Sequence, residues 1–209
     1  MKRAAALSAT VLLTVGTASA CGGSASPSVT VPASSAAAAP LPSGWQRATA
    51  PKAKLSLGVP GDWTVVTGAS VASNAGIARR MAQFFHVSVT QVPQLFKQVD
   101  IMAFAPKITD NFDPNINVTL TPLADLPTAE TIRAGYEQLH ASAIKVVNVS
   151  TSLGNGVGVT YELSQVHARG EEIYVRTDAG IAGITVSTAA SADPAPVMAQ
   201  IMTTLQAKN

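Results

Sequence analysis

The chain has 209 residues, 12% of them charged and 5% aromatic, with a formal net charge of +2 and a single cysteine. Lys2 and Arg3 supply that excess, so the rest of the chain is balanced in charge, and no Lys/Arg stripe interleaved with aromatics marks a nucleic-acid surface. With one cysteine there is no intrachain disulfide, and the folded part must rest on its apolar core.

Residues 1–20 read as a secretory signal. Lys2 and Arg3 form a short positive start, "AAALSATVLLTVG" from Ala4 to Gly16 is uncharged and apolar, and Thr17 to Ala20 are small. The apolar run is shorter than the roughly 20 residues a spanning helix needs, and no later segment is long and charge-free enough to span. Two cleavage patterns overlap at its end. "ASA", Ala18 to Ala20, satisfies the small-x-small rule of ordinary signal peptidase. The same stretch resembles the bacterial lipobox, in which a small residue precedes a cysteine that receives a diacylglycerol on its thiol. Ala18 stands where that motif usually carries leucine, but Cys21 falls at the one position where lipid attachment needs it. The expectation is a lipid anchor at Cys21 on the extracytoplasmic face of a cell membrane, with partial secretion if ordinary signal peptidase cuts. The alternative is a chance cysteine behind an ordinary signal, leaving an exposed thiol or an intermolecular bridge. At about 0.8 kcal/mol per buried methylene, two or three acyl chains sum to well beyond 15 kcal/mol, an effectively permanent anchor.

Residues 21–43 continue as "CGGSASPSVTVPASSAAAAPLPS", made of Ala, Ser, Pro and Gly with no charge. Such a segment cannot bury enough apolar surface to fold. As a linker it would average about 25 Å end to end if coil-like and approach about 70 Å if extended. Its Ser/Thr/Pro content also suits O-glycosylation.

A single domain is expected over residues 44–209. "KLSLGVPGDWTVV", Lys54 to Val66, alternates and then turns at Pro60-Gly61, which predicts a strand and a short hairpin partner, with Trp45 and Trp63 as core anchors. Ile77, Met81, Phe84 and Phe85 mark one face of a helix. Ser88 and Gln91 then match a capping box stapled by Val87 and Val92, with Pro93 suggesting Thr90 as an alternative cap. His86 lies in the bend between the two helices and reads as a satisfied loop residue. "VDIMAFAP" and "INVTLTP" are strand-like, followed by a helix opened at Pro127 and Thr128 whose stripe is Ile132, Tyr136, Leu139 and Ala143. "KVVNVST", "GVGVTYELSQVH" and "EEIYVRTDA" follow, joined by turns at "LGNG" and "ARG", so neighbours pair antiparallel. Val157, Val159, Tyr161 and Leu163 share a buried face opposite Thr160, Glu162 and Ser164. After "GIAGITVST", Asp193 and Pro194 open a last helix with the stripe Val197, Met198, Ile201, Met202 and Leu205, its methionines read as core filler.

"SGWQRATAPKAKLSLGVPGDWTVV", "NFDPNINVTLTP" and "IYVRTDAGIAGITVSTAASADPAPVMAQIMTTL" resemble the LpqN and LpqT type of mycobacterial lipoproteins over most of the folded domain. The resemblance implies a PsbP-like α/β/α sandwich, an α+β fold in which a central antiparallel sheet is flanked by helices, and an actinobacterial cell envelope. Some members are implicated in binding envelope glycolipids or host proteins. No shared catalytic motif carries over to residues of this chain.

The residues themselves offer little chemistry. His86, His140 and His167 are far apart and none has metal-ligand spacing, so no metal site and no cofactor are expected. No G-x-S-x-G elbow is present. Glycines 154, 156 and 158 lead into a strand rather than a helix, so a hairpin turn explains them better than a phosphate loop. Glu171-Glu172 and Asp110/Asp113 read as solvated carboxylates on a turn and a loop. The expected function is a non-enzymatic, membrane-anchored binding module for an apolar envelope glycolipid or a partner protein. The alternative is an envelope lipid or glycan hydrolase or transferase whose site is assembled only in space.

Overall fold

The computed structural model describes residues 40–208; the signal segment, Cys21 and the linker up to residue 39 lie outside them. β1 (Trp45–Ala50) and β2 (Leu55–Pro60) pair antiparallel, with Ala48 opposite Leu57 and Ala50 opposite Leu55. The next strand, β3 (Thr64–Thr67), is not the hairpin partner of β2 that the Pro60-Gly61 turn suggests. β2 sits in a three-stranded sheet with β1 and the C-terminal β10 (Gln206–Ala207), whereas β3 is an edge strand of a separate seven-stranded sheet. The turn closes onto the start of β1 instead. The Gly61 amide donates to Gly44 O at 2.7 Å and the Gln46 side-chain amide donates to Trp63 O at 2.7 Å, which leaves β3 free to join the second sheet. Trp45 and Trp63 are half-buried against the core, as anchors.

Three helices follow. α1 (Gly68–Ser73) is closed by a capping box between Thr67 and Ser70, and α2 (Ala75–Phe85) by Asn74, whose side chain accepts from the Gly76 and Ile77 amides. α2 buries Ala78, Met81, Ala82 and Phe84, one turn-by-turn stripe, and stops at His86 in the left-handed region at φ 52°. Ser88 and Gln91 do interlock, with the Ser88 amide donating to Gln91 Oε1 at 2.9 Å, but they cap a 3-10 turn at Val89–Gln91. α3 (Val92–Gln98) starts after that turn, so Pro93 falls in its first turn where no amide partner is lost.

β4 (Val99–Phe104) and β5 (Asn115–Thr121) pair antiparallel; α4 (Ala129–Gln138) is capped by Thr128, which accepts from the Thr131 amide at 3.2 Å. Ile132 and Tyr136 are its buried stripe, but Ala143 is not part of it. The helix ends at Leu139, His140 turns at φ 56°, and Ala143 sits at φ 52° inside the irregular start of β6 (Ser142–Thr151). β7 (Gly154–Leu163), β8 (Ala168–Thr177) and β9 (Gly180–Ala189) complete the sheet in the order β3-β4-β5-β9-β8-β7-β6, every neighbour antiparallel. The β7–β8 reversal lies at the 3-10 turn Ser164–Val166 and His167, so "ARG" is inside β8 rather than in the turn. α5 (Ala195–Thr204) opens where Asp193 Oδ1 accepts from the Ala195 amide at 3.0 Å, and it buries Met198 and Ile201.

The result is an α+β fold built on one long antiparallel sheet, whose two faces differ. One face presents Ile101, Ala103, Ile116, Val118, Ile173, Val175, Ala182, Ile184 and Val186, and is covered by Leu55, Leu57 and Val59 of the small sheet together with Met198, Ile201 and Leu205. On the other face α1 to α3 pack on Val66, Met102 and Phe104 at the β3–β4 end. α4 packs on Val159, Tyr161 and Tyr174 near the β7 end. Between those two helical covers run the middle strands β5, β9 and β8.

Candidate functional site

Two features of the second face stand out, one open and one closed. The open one is a crevice of about 630 Å³ between α2 and the loop joining β4 to β5. Its apolar walls are Met81, Phe84, Phe104, Pro106 and Ile108, and Arg80, Gln83, His86, Asn111 and Asp113 supply polar groups. α2 delivers Met81 and Phe84 from its buried stripe, and the Phe84 ring meets Phe85 and Phe104 edge-on at centroid distances of 4.9 and 4.7 Å. Ile108 is 51% exposed, and Val89, on the 3-10 turn after His86, is 43% exposed. A volume in this range is ordinary for a small-molecule site, and the wall is mixed, its apolar and polar parts of similar extent. The lining residues include no serine, threonine or cysteine.

The closed feature lies across the middle strands, with its β8 end under α4. Register places Asn117, Thr185 and Glu172 side by side across β5, β9 and β8. Asn115, Ser187 and Gly170 form the adjacent row on one side, and Thr119, Gly183 and Tyr174 the row on the other. Every one of these nine positions is polar, glycine or tyrosine, yet the side chains of Asn115, Asn117, Thr119, Glu172, Thr185, Ser187 and Tyr174 are all buried. The glycines make the room. A Cβ at Gly170 would overlap the Tyr161 phenol, and one at Gly183 would come within 2.6 Å of Glu172 Oε1.

Glu172 is the centre of this patch. The Tyr136 hydroxyl, reaching down from α4, donates to Glu172 Oε2. Thr185 lies opposite Glu172 in the β8–β9 register, and Tyr174 follows on the same face of β8. Burial pushes the Glu172 carboxyl up to about 7, against the opposing pull of the Tyr136, Tyr174 and Thr185 hydroxyls. Burial, reinforced by the negative charge of Glu172, likewise pushes the phenols of Tyr136, Tyr161 and Tyr174 upward. The Tyr136 and Tyr161 rings pack at 4.3 Å, tilted by 36°. Two groups are left over. Asn117 bonds through neither amide atom, and the Tyr161 hydroxyl lies near Ser187 and Tyr136 without a hydrogen bond of ordinary geometry. Leaving a buried polar group unpaired costs about 1–3 kcal/mol, so such groups are few in native folds.

Cys21, the expected lipid attachment residue, lies outside the described residues. His86, His140 and His167 are not brought together. Each occupies a left-handed position that ends a helical turn, at φ 52°, 56° and 50°, and among the described residues no group of three metal-ligating side chains forms. Gly154 makes the hairpin turn at φ 106°, but Gly156 and Gly158 are packing positions under Val149, where a Cβ would lie 3.4 and 2.9 Å from its methyl groups. Asp110 stays on an exposed loop, where it accepts from the Ser191 hydroxyl, and Asp113 lines the crevice. Glu171-Glu172 is the correction. The pair is not on a turn but inside β8, where strand alternation puts Glu172 under α4 and Glu171 half-buried on the other face. Burial, and then Asp193, push the Glu171 carboxyl up. The residues missed from sequence, Asn117 and Thr185, carried one signal: "NINVTLT" and "GITVST" alternate polar with apolar side chains on strands that turn out to be central.

No family model and no curated protein matches the chain. Among solved structures, the fold is similar to the solution structure of cyanobacterial PsbP (CyanoP) from Synechocystis sp. PCC 6803. That match has a TM-score of 0.49 and 13% sequence identity, and covers 90% of this chain and 98% of that one. Among the described residues no helix is long and apolar enough to cross a membrane.

Proposed function

We propose that this chain is a cell-envelope lipoprotein of the LpqN/LpqT type, anchored to the membrane by acyl chains on Cys21, whose folded domain is a non-enzymatic binding module. Its ligand is an apolar envelope molecule, a glycolipid in the simplest case, held in the crevice between α2 and the β4–β5 loop. The observation that carries this reading is the crevice itself. Its volume of about 630 Å³ suits a drug-sized or acyl-chain ligand, its aromatic and aliphatic walls suit an apolar chain, and Gln83, Asn111, Arg80 and Asp113 suit a hydroxylated head group. The domain is then a receptor on a tether. An anchor of two or three acyl chains keeps it at the membrane while the linker gives it reach.

Against the hydrolase or transferase reading stands the composition of the crevice. Covalent catalysis needs a nucleophile beside a base, and the crevice lining includes no serine, threonine or cysteine. The test is mass spectrometry of the molecules that copurify with the full chain from an envelope extract, with Ile108→Asp as the control. Ile108 is exposed, so the substitution leaves the fold intact while placing a charge in the crevice wall. The expected result is a stoichiometric acyl-bearing species on the unaltered chain and its depletion on Ile108→Asp. Repeated preparations without any such species overturn the reading, as does an intact mass showing Cys21 free of acyl chains for the anchor.

A further inference from the structure

We propose that α4 is a proton-operated lid, latched onto the sheet through Glu172, and that raising the pH releases it to expose Glu172 and the Tyr161 phenol beneath it. The latch is a matter of geometry. Glu172 is 3% exposed, is bonded by Tyr136 of α4, and has Thr185 opposite it and Tyr174 on the same face of the sheet. The titratable groups that face it are Tyr136 from α4, Tyr161 from β7 and Tyr174 from β8, all phenols; β9 and β5 contribute the neutral Thr185 and Asn117. No cation is among the groups acting on it. A buried carboxylate without a cation is stable mainly as the neutral acid.

α4 buries few side chains for its length. Among its ten residues only Ile132 and Tyr136 are buried, whereas α5 buries Met198, Ile201 and Thr204. Its exit carries two left-handed residues three positions apart, His140 and Ala143, and its entry loop is held at the surface by Arg176, which bonds to Ala124 O and Asp125. Segments with few buried contacts open locally at low cost.

The sign follows from linkage. In the closed form burial raises the carboxyl to about 7, and in the open form water returns it to the ordinary value of about 4.3. The closed form therefore binds the proton more tightly. Closure is strongest below the ordinary carboxylate range and weakens as the pH rises through about 7.

Hydrogen exchange of the full chain at pH 5, 6, 7 and 8, corrected for the intrinsic rate at each pH, tests the lid. Opening of residues 129–138 relative to residues 195–204 is expected to rise by tens of fold, roughly, between pH 5 and 8. Glu172→Gln, which fixes the neutral state, is expected to remove that rise and to hold the helix at pH 8 as tightly as the unaltered chain does at pH 5. A constant ratio of α4 to α5 exchange across the series overturns the proposal, and so does a Glu172→Gln chain that keeps the pH dependence. If Glu172→Gln does not fold, the unaltered chain's own series decides, together with a carbon-13 titration of the Glu172 carboxyl that must show a midpoint well above the ordinary range.

Discussion

The two faces of the seven-stranded sheet are made by the same strands and are nonetheless opposite in chemistry. On β5, Ile116 and Val118 point to the small sheet while Asn115, Asn117 and Thr119 point to the helices; on β9, Ile184 and Val186 alternate with Thr185 and Ser187 in the same way. Both sets are buried. A sheet face that met water would explain the polar set at no cost, but here it is buried and left with an unpaired Asn117 amide. The comparison separates two jobs. One face holds the fold together through close apolar packing, and the other gives up packing energy to keep hydroxyls, an amide and a carboxyl inside.

The largest expected effect comes from breaking the apolar face. Ile184 is fully buried among Ile116, Val186 and the small sheet, so Ile184→Ala removes apolar volume that rigid neighbours cannot refill. Its cost should be about 3–4 kcal/mol, read as a lower urea midpoint at unchanged slope. A loss under about 1 kcal/mol would mean that this face is loosely packed and the contrast misread.

A smaller effect should follow from filling the polar face. Gly170→Ala puts a methyl group into the Tyr161 phenol, so the ring must leave its place against Tyr136. Overpacking of this kind costs about 1–3 kcal/mol, and it should move the near-ultraviolet circular dichroism of the tyrosines along with the midpoint. Thr128→Ala acts on the roof rather than the floor. It removes the hydroxyl that accepts from the Thr131 amide, weakening α4 by about 1 kcal/mol, and should raise exchange in residues 129–138 while leaving α5 unchanged.

How far sequence carries toward this picture depends on the range of the interaction that decides each element. Caps and stripes are local, so Thr128 with Ile132 and Tyr136, Asp193 with Pro194, and Ile77 to Phe85 are read correctly as helices. Strand partners are not local. Leu55–Pro60 and Thr64–Thr67 look like a hairpin because a Pro-Gly turn lies between them, but their partners are β1 and β4, chosen by which sheet buries Leu57 and which buries Val66. The α4 stripe extends on paper to Ala143 because a period of 3.6 cannot see the left-handed turn at His140. The polar patch fails for a related reason. Alternation says that two faces differ, and it cannot say whether the polar one meets water or a helix. Glu172 beside Glu171 looks solvated until α4 is placed over β8.

The smallest expected effect sharpens the comparison most, because its sign is what matters. Asn117→Leu replaces a buried amide by an apolar side chain of similar shape, at a site between Met102 and Thr185 where neither amide atom has a partner. If the patch serves only to hold the fold, its amide is a pure liability. Removing it then recovers part of the roughly 1–3 kcal/mol cost of an unpaired buried group, so stability should rise by about 0.5–1 kcal/mol. The exchange of α4 is the second readout, because the lid is latched through Glu172 and not through Asn117; its pH dependence should survive the substitution. A chain that is instead destabilised by more than about 1 kcal/mol would show that Asn117 is already satisfied by ordered water linking β5 to β9, and that the polar face contributes to the fold as the apolar one does.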